Sequence, residues 1–155
     1  MTEAEVMAVL ATVNDPEIPV LSIVELGIVE QVRCRTDGVD VFLLPTFAGC
    51  PALELIRRAV VSALQAAGAP QVAVTFLTAP AWTTDRITQQ GLDALSSFGI
   101  AAPGDAAPAC PYCQSTQTRR ESAFGPTLCR QVYYCDSCHQ PFERMKPLTM
   151  AVKVR

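Results

Sequence analysis

Cys110-Pro111-Tyr112-Cys113 and Cys135-Asp136-Ser137-Cys138 are two cysteine knuckles, separated by 21 residues, near the end of this 155-residue chain. Each Cys-x-x-Cys turn directs two sulfurs to one side, and a hairpin between the turns brings both pairs to one tetrahedral Zn²⁺. Four thiolates at about 2.3 Å close the coordination shell and leave no position for a substrate. The spacing therefore predicts a structural zinc ribbon over residues 110–155, with Cys110, Cys113, Cys135 and Cys138 as ligands. A rubredoxin-like iron site, a redox dithiol and structural disulfides are the alternatives, and the strand pattern between the knuckles favours zinc.

The cysteine count and the N-terminal residues indicate the cellular compartment. The chain holds seven cysteines, an odd number, and begins with an acidic stretch rather than the basic start of a secretory signal. It has no apolar run of about 18 residues, the length of a membrane span. These features predict a cytoplasmic protein without a membrane partner. Four of its thiols bind metal, which leaves Cys34, Cys50 and Cys129; Cys34 lies in a predicted strand and is expected to be buried.

Charge is distributed unevenly along the sequence. Residues 1–109 hold 5 basic and 12 acidic side chains, whereas residues 110–155 hold 7 basic and 3 acidic ones. A zinc ion with four thiolates adds a charge of −2 to the second part, which lowers its net charge from +4 to about +2. That surplus is small for nucleic-acid binding, so the sequence predicts no nucleic-acid partner.

The residues before the knuckles show the periodicities of a small α+β domain. Thr2 and Glu5 form a capping box, Asp37-Gly38 is a hairpin turn, and Gly68 is a helix stop. The strand that follows the central helix is expected to be parallel to the strand before it, so the sheet is mixed. The predicted order is αββαβα, with helix 3–13, strands 27–35 and 39–45, a helix from Pro51 to Gly68, strand 71–77, and a helix capped by Thr83 or Thr84 that runs to Gly99.

The segment 101–109 is rich in alanine and proline and shows no periodicity, which is typical of a linker. The sequence therefore predicts an α/β domain over residues 1–100, a linker over 101–109 and the ribbon over 110–155. The ribbon is too small to be stable through apolar burial alone, and the metal compensates for this.

Cys50 is the cysteine best placed for chemistry outside the ribbon. It lies at the start of the central helix, where unpaired N–H groups and the helix dipole favour its thiolate. The alternative is an N-cap cysteine packed against the core. Asp15 and Glu17, in the loop after the first helix, can reach the sheet edge where Cys50 emerges. For them the alternative is a turn formed by Asp-Pro with Glu17 in solvent.

Two further residues lie near the predicted metal site. His139 follows the last knuckle cysteine and either replaces a thiolate or lies beside the metal turn, the second being favoured. Cys129 is either an alternative ligand or packs beneath the ribbon. The sequence contains no Gly-x-Ser-x-Gly, phosphate loop or dinucleotide fingerprint, which excludes the usual hydrolase and nucleotide-enzyme classes.

Asp15-Pro16-Glu17-Ile18-Pro19, Leu26-Gly27-Ile28-Val29 and Thr46-Phe47-Ala48-Gly49-Cys50-Pro51 together resemble the metal–sulfur cluster assembly family over about residues 3–100. Members of that family take part in iron–sulfur protein maturation. The resemblance implies that Cys50 is the functional sulfur and that Asp15 and Glu17 line the same region. It also implies a transiently bound iron or iron–sulfur cluster at these residues, which would be handed on as cargo.

The whole chain, with its knuckles and the stretch 79–85, resembles the D (or J) subunits of phenylacetyl-CoA epoxidase systems. This resemblance implies a non-enzymatic accessory subunit in aerobic phenylacetate degradation, whose partners are the oxygenase or reductase subunits of the complex. The chain lacks the paired Glu-x-x-His motifs of a di-iron site, so it is not the oxygenase itself. The alternative functions are a scaffold that bridges oxygenase subunits and, less favoured, a nucleic-acid-binding ribbon. Whether the chain forms a homodimer is left open.

Overall fold

The computed structural model describes residues 1–47, 49–104 and 106–147. It divides the chain into two compact units. The first holds Met1–Trp82 and Arg86–Thr88, and the second holds Thr83–Asp85 and the chain from Gln89 onward. The α+β class and the ribbon that the sequence predicts are confirmed.

The first unit contains a three-stranded mixed sheet and two helices. The strands are arranged in the order β1-β2-β3, with β1 antiparallel to β2 and β2 parallel to β3, as the strand–helix–strand connection requires. The elements are α1 (Glu3–Leu10), β1 (Val29–Cys34), β2 (Val39–Leu43), α2 (Ala52–Ala66) and β3 (Val72–Phe76).

Helix α1 starts where the sequence predicts and ends earlier. The hydroxyl of Thr2 accepts the N–H of Glu5, and the Glu5 carboxylate accepts the N–H of Thr2 at 2.7 Å, which completes the capping box. The predicted end at residue 13 is wrong, because the N–H of Thr12 donates to Val9 and that of Val13 donates to Leu10. These hydrogen bonds from residue i to residue i−3 form a tighter turn than the α-helix, so the α-helix ends at Leu10, its second buried residue.

Helix α2 is amphipathic. Its buried residues repeat every four positions and lie on one face: Ala52, Ile56, Val60 and Leu64. Pro51 precedes the helix, and Gly68, with φ of 102°, ends it in a conformation that side-chain-bearing residues rarely adopt. Helix α2 therefore packs its apolar face into the core of the first unit.

Trp82 closes the core of the first unit. Its side chain is buried, and its indole N–H donates to the carbonyl of Leu26 at 2.9 Å. Gly27, next to that carbonyl, has φ of 71°, and a Cβ there would lie 2.1 Å from the carbonyl oxygen of Arg86. Only glycine allows this close approach of two backbone segments. Cys34, by contrast, is exposed, so its predicted burial is wrong, because the apolar cover of β1 ends at Val32.

The second unit contains one helix and a four-stranded sheet in the order β4-β7-β6-β5. Strand β6 pairs antiparallel with β5 and with β7, and β4 pairs parallel with β7. The elements are α3 (Gln89–Ser97), β4 (Ile100–Ala101), β5 (Thr118–Ser122), β6 (Arg130–Cys135) and β7 (Pro141–Met145).

The start of α3 and the predicted linker both differ from the sequence prediction. Thr84–Arg86 forms a single 3₁₀ turn, and the α-helix begins only at Gln89. The sequence pattern places residue 101 in the linker, yet Ile100 and Ala101 are buried and pair with β7. A two-residue strand is too short to show a period, so the sequence pattern could not reveal it. The two compact units therefore divide before α3, whereas the prediction divides the chain at 101–109.

Candidate metal centre

The four knuckle cysteines converge in the second unit. Their sulfur atoms all lie within 4.8 Å of one another. The sulfurs of Cys110 and Cys138 are 3.7 Å apart, and those of Cys113 and Cys135 are 3.6 Å apart. A tetrahedral Zn²⁺ with Zn–S bonds of about 2.3 Å places its sulfurs about 3.8 Å apart. The donor set therefore has both the chemistry and the spacing of a four-thiolate zinc site.

Both knuckles are held by the same local backbone geometry. The residue that follows each knuckle, Gln114 or His139, has a positive φ of 64° or 60°. Its N–H donates to the carbonyl of the first cysteine, Cys110 or Cys135, at 2.8 Å or 2.9 Å. This bond closes each Cys-x-x-Cys segment into a turn, so both sulfurs of the pair point to the same side.

The thiols of the second knuckle are electrostatically different from each other. The backbone N–H of Cys138 lies 3.5 Å from the Cys135 sulfur and is the main cause that lowers the pKa of the Cys135 thiol to about 7. Burial raises the pKa of the Cys138 thiol to about 12. A metal ion binds the thiolate forms, so loading this site releases protons from its most resistant thiol.

Two serines that were not predicted from the sequence link the knuckles. The hydroxyls of Ser115 and Ser137 lie 2.7 Å apart, one from each knuckle region. On the same side, the Arg119 side chain donates to the Asp136 carboxylate at 3.1 Å. The sequence shows a serine within one knuckle and one just after the other. Because serine is common in turns, only the contact between the two in the structure identifies their role.

His139 and Cys129 do not belong to the sulfur cluster. The Nδ1 of His139 lies 3.3 Å from the hydroxyl of Tyr134. Cys129 is buried, and its sulfur lies 3.1 Å from the Thr127 hydroxyl. Over residues 1–47, 49–104 and 106–147, the four knuckle cysteines form the one group of three or more Cys, His, Asp or Glu side chains whose ligand atoms are close enough to share an ion.

Cys50 lies in the turn that leads into α2. It is half-buried, its N–H donates to the Phe47 carbonyl, and its own carbonyl accepts the N–H of Leu53 at 3.2 Å. The preceding Gly49 has φ of 75°, and a Cβ placed there would meet no atom within 4 Å. The turn is therefore open on the side of Gly49, and Cys50 stands just before the N-terminus of a 15-residue helix.

Asp15 and Glu17 have different environments in the same loop. The Asp15 side chain is buried, and its Oδ1 accepts the N–H groups of Glu17 and Ile18 at 2.8 Å and 2.9 Å. One carboxylate oxygen of Asp15 thus stabilises the turn, which agrees with the alternative that Asp-Pro serves as a turn. Asp15, Glu17 and Cys50 are not gathered into a shared ligand group in the part of the chain that the structure describes. Their role in iron or cluster transfer stays a prediction.

Two family models match separate parts of this chain. Residues 3–76 match the iron–sulfur cluster assembly protein model, and residues 99–146 match the PaaD zinc beta ribbon domain model. A protein of Escherichia coli (strain K12), provisionally named as the D subunit of 1,2-phenylacetyl-CoA epoxidase, is 39% identical over 92% of this chain and 91% of its own length. The chain belongs to this family of epoxidase D subunits. The resemblances stated from the sequence are thereby confirmed.

Relatives of the first part of the chain are found outside the epoxidase family. The Fe-S protein maturation auxiliary factor of Porphyromonas gingivalis (strain ATCC BAA-308 / W83) is 31% identical and covers 59% of this chain and 88% of its own length. The crystal structure of a domain of unknown function, DUF59, from Bacillus anthracis is 27% identical with a TM-score of 0.56, and covers 60% of this chain and 90% of its own. A conserved hypothetical protein of Thermotoga maritima is also 27% identical, with a TM-score of 0.53, and covers 64% and 95%.

Among the described residues, no helix has both the length and the apolar character needed to cross a bilayer.

Proposed function

We propose that this chain transfers iron or an iron–sulfur cluster to another component of a phenylacetyl-CoA epoxidase system and does not itself oxidise the substrate. The observation that supports this best is the match of residues 3–76 to an iron–sulfur assembly family, in a chain whose other domain holds a closed four-cysteine site. The recipient is the oxygenase or the reductase of the system, and the predicted location is the cytoplasm.

The two sulfur sites suit different tasks in this proposal. The knuckle sulfurs surround one position at the spacing of a complete tetrahedron, so an ion held there is retained rather than passed on. We assign Zn²⁺ to that site as a permanent structural ion. Cargo transfer requires weak ligation at an accessible atom, and we assign it to Cys50, a half-buried residue in the turn before α2.

The carboxylates that the prediction groups with Cys50 have separate roles here. Asp15 is buried and fixes the turn through Oδ1, whereas Glu17 is half-buried, so we assign the contact with a cargo ion to Glu17. Transfer then proceeds by ligand exchange, in which a ligand of the recipient replaces the Cys50 thiolate on the metal. The step changes no oxidation state and needs no further reactant.

The test is to load the recipient proteins in cells that make either the unchanged chain or its Cys50→Ser variant. We expect the variant to leave the purified recipient with much less iron and epoxidase activity, while one zinc per chain is retained in both. Cys34→Ser is a matched control, since Cys34 is an exposed thiol of the first unit but lies on β1, and it is expected to change neither quantity.

A Cys50→Ser chain that restores a fully metallated, active epoxidase would refute the transfer role. If the same variant still purified with the oxygenase subunits at fixed stoichiometry and removal of the whole chain abolished activity, the chain would act as a scaffold. Glu17→Gln beside Asp15→Asn separates the two carboxylates. We expect the first to lower iron transfer and the second to destabilise the loop.

A further inference from the structure

The four knuckle cysteines differ in their exposure to solvent. Cys110 and Cys135 are fully buried, Cys138 is half-buried and Cys113 is exposed. Zinc binds cysteines as thiolates, so in the loaded site access from solvent, rather than the protonation state, decides which sulfur a reagent reaches first. Cys113 is therefore the ligand residue that a reagent in solution meets first.

The sulfurs are close to one another across the two knuckles. The sulfur of Cys113 lies 3.6 Å from that of Cys135, and the sulfur of Cys110 lies 3.7 Å from that of Cys138. A disulfide bond is about 2.05 Å long, so either pair needs to approach by only about 1.5 Å to form one. An accessible cysteine with a second thiol in reach is the arrangement typical of redox-sensing cysteines.

Contacts outside the sulfur group hold Cys113 and Cys135 side by side. The hydroxyl of Ser115, two residues after Cys113, lies 2.7 Å from the hydroxyl of Ser137, two residues after Cys135. Strand β5, which follows the first knuckle, pairs antiparallel with β6, which ends at Cys135. Neither contact uses a sulfur atom, so more than the ion keeps these two cysteines close together.

We propose that Cys113 is a modification site at which a hydroperoxide oxidises the ribbon and releases its zinc, with Cys135 as the resolving thiol. The proposal rests on the assignment of zinc in the proposed function and is independent of the role of Cys50. In the first step the Cys113 thiolate attacks the terminal oxygen of the hydroperoxide. An S–O bond forms and the O–O bond breaks. The departing alkoxide takes a proton to become an alcohol, or water from hydrogen peroxide, and Cys113 is left as a sulfenic acid.

The second step joins the two knuckles. The Cys135 thiolate attacks the sulfur of the sulfenic acid, an S–S bond forms, the S–O bond breaks, and the departing hydroxide takes a proton to become water. In sum, two thiolates are oxidised to one disulfide, one hydroperoxide is reduced to an alcohol and water, and two protons are consumed. The site then keeps two of its four sulfurs, too few for the closed shell that retains zinc.

The pairing across the knuckles makes the change reversible. A disulfide between Cys113 and Cys135 links the two knuckles in place of the ion, whereas a disulfide within either Cys-x-x-Cys turn would leave them unconnected. A dithiol reductant reopens the bond by thiol–disulfide exchange, and the sulfurs are then in position to bind zinc again. The ribbon thus holds zinc under reducing conditions and loses it when a hydroperoxide accumulates.

The test adds one equivalent of hydrogen peroxide to the full-length, zinc-loaded chain. Zinc release is followed with a chromogenic chelator, sulfenic acids are trapped with dimedone, and disulfides are located by peptide mapping. We expect the first adduct of the ribbon at Cys113, a Cys113–Cys135 disulfide in the absence of dimedone, and one zinc released per disulfide. Cys34 is the internal control: it is exposed but lies outside the sulfur group, so its oxidation should release no zinc.

Ser137→Ala separates the two steps without removing a ligand. We expect the sulfenic acid at Cys113 to form at an unchanged rate and the disulfide to close severalfold more slowly, because the contact with Ser115 is lost. Ser62→Ala, at an exposed position of α2, is the matched control and should change neither rate. Closure at the unchanged rate in Ser137→Ala would refute the positioning role of the serine pair.

Four results would each overturn the proposal: a first adduct at a buried knuckle cysteine, a disulfide within one knuckle, zinc release without a disulfide, or zinc retained in excess hydrogen peroxide. Elemental analysis before the oxidant is added distinguishes this failure from that of the zinc assignment. A chain that holds no zinc at that stage would refute both, whereas a chain that holds zinc and keeps it would refute the oxidative release alone.

Discussion

The two units of this chain are stabilised in different ways. The first buries many large aliphatic side chains, among them Leu10, Leu43, Val60 and Leu64, together with Trp82. The core cluster of the second has five members, and two of these, Cys110 and Cys135, belong to the four-sulfur group. Its two aromatic members, Tyr133 and Phe142, stack with ring centres 5.8 Å apart. With zinc at the proposed site, this chain would combine a hydrophobic core in one unit with a core that depends on an ion in the other.

The cysteine sulfurs of the two units also differ in their environments. In the ribbon, four sulfurs stand at the distances of a filled coordination shell, and two of them are fully buried. In the first unit, Cys50 is half-buried in an open turn. Retention and release are opposing demands on a ligand set, so a chain that needs both benefits from keeping them in separate domains.

Metal removal should break the second unit and spare the first, and this is the largest effect we expect. Cys135→Ser removes a fully buried ligand from a site whose bound zinc contributes about 10 kcal/mol or more to folding in comparable small domains. Elemental analysis should show loss of the zinc, and hydrogen exchange should show loss of protection in β6 and β7.

Trp82 provides the control for this experiment, since it is the single tryptophan of the chain and is buried in the first unit. Its emission should be the same in Cys135→Ser, in Cys34→Ser and in the unchanged chain. A red shift on chelation would show that the first unit also depends on the metal and would contradict the independence of the two cores.

A cavity in the first core should have the converse effect. Leu64 is fully buried on α2, and Leu64→Ala is expected to cost the first unit about 2–5 kcal/mol of unfolding free energy through lost contacts and the cavity left behind. Urea unfolding followed by Trp82 emission measures this. Leu55→Ala, on the exposed side of the same helix, should change the value by no more than about 0.5 kcal/mol. Equal losses in both variants would contradict the assignment of the buried face.

The smallest effect concerns the capping box and has a defined pH dependence. The hydrogen bond from the backbone N–H of Thr2 lowers the pKa of the Glu5 carboxyl in the folded state. A carboxyl whose pKa is lowered by folding stabilises the protein above its unfolded pKa of about 4.3, and this contribution is lost as the pH falls through the folded value. The unchanged chain should therefore have a higher free energy of unfolding than Glu5→Gln at neutral pH, and this difference should vanish in acid.

Urea midpoints measured across that pH range provide the test. Glu3→Gln is the matched control, since Glu3 lies in the same first turn and makes no capping-box bond. A Glu5→Gln difference that persisted in acid would show that the box acts through packing or shape rather than through the carboxylate charge.

The features that could be predicted from the sequence are those coded by short, regular spacings. Two Cys-x-x-Cys turns identified the four sulfurs that converge in the second unit, and Pro51 at the first helical position with Gly68 as the stop identified α2. The hairpin turn at Asp37-Gly38 and the following helix indicated the mixed sheet, because a strand–helix–strand connection allows one topology. Each of these signals lies within a short stretch of chain and needs no knowledge of distant partners.

The features that were missed depend on contacts between distant residues. Strand β4 exists because β7, far later in the chain, offers an edge for two residues to pair with. Cys34 has the parity of a buried residue, yet the core does not extend beneath the end of β1. The Asp-Pro sequence indicates a turn role for Asp15, but only the structure shows which backbone groups its Oδ1 binds.

The pairing of Ile100 and Ala101 with β7 places β4 in the second unit, so the boundary between the two units lies before it. A ribbon that begins at Cys110 would lack both β4 and α3. The edge of β7 would then be exposed to solvent, where it could pair with strands of other molecules and promote aggregation. Grafting this module onto another protein, or comparing it with free-standing ribbons, therefore calls for a cut ahead of Gln89. The four-cysteine ribbon and the helix α3 before it should therefore be transferred together as one domain.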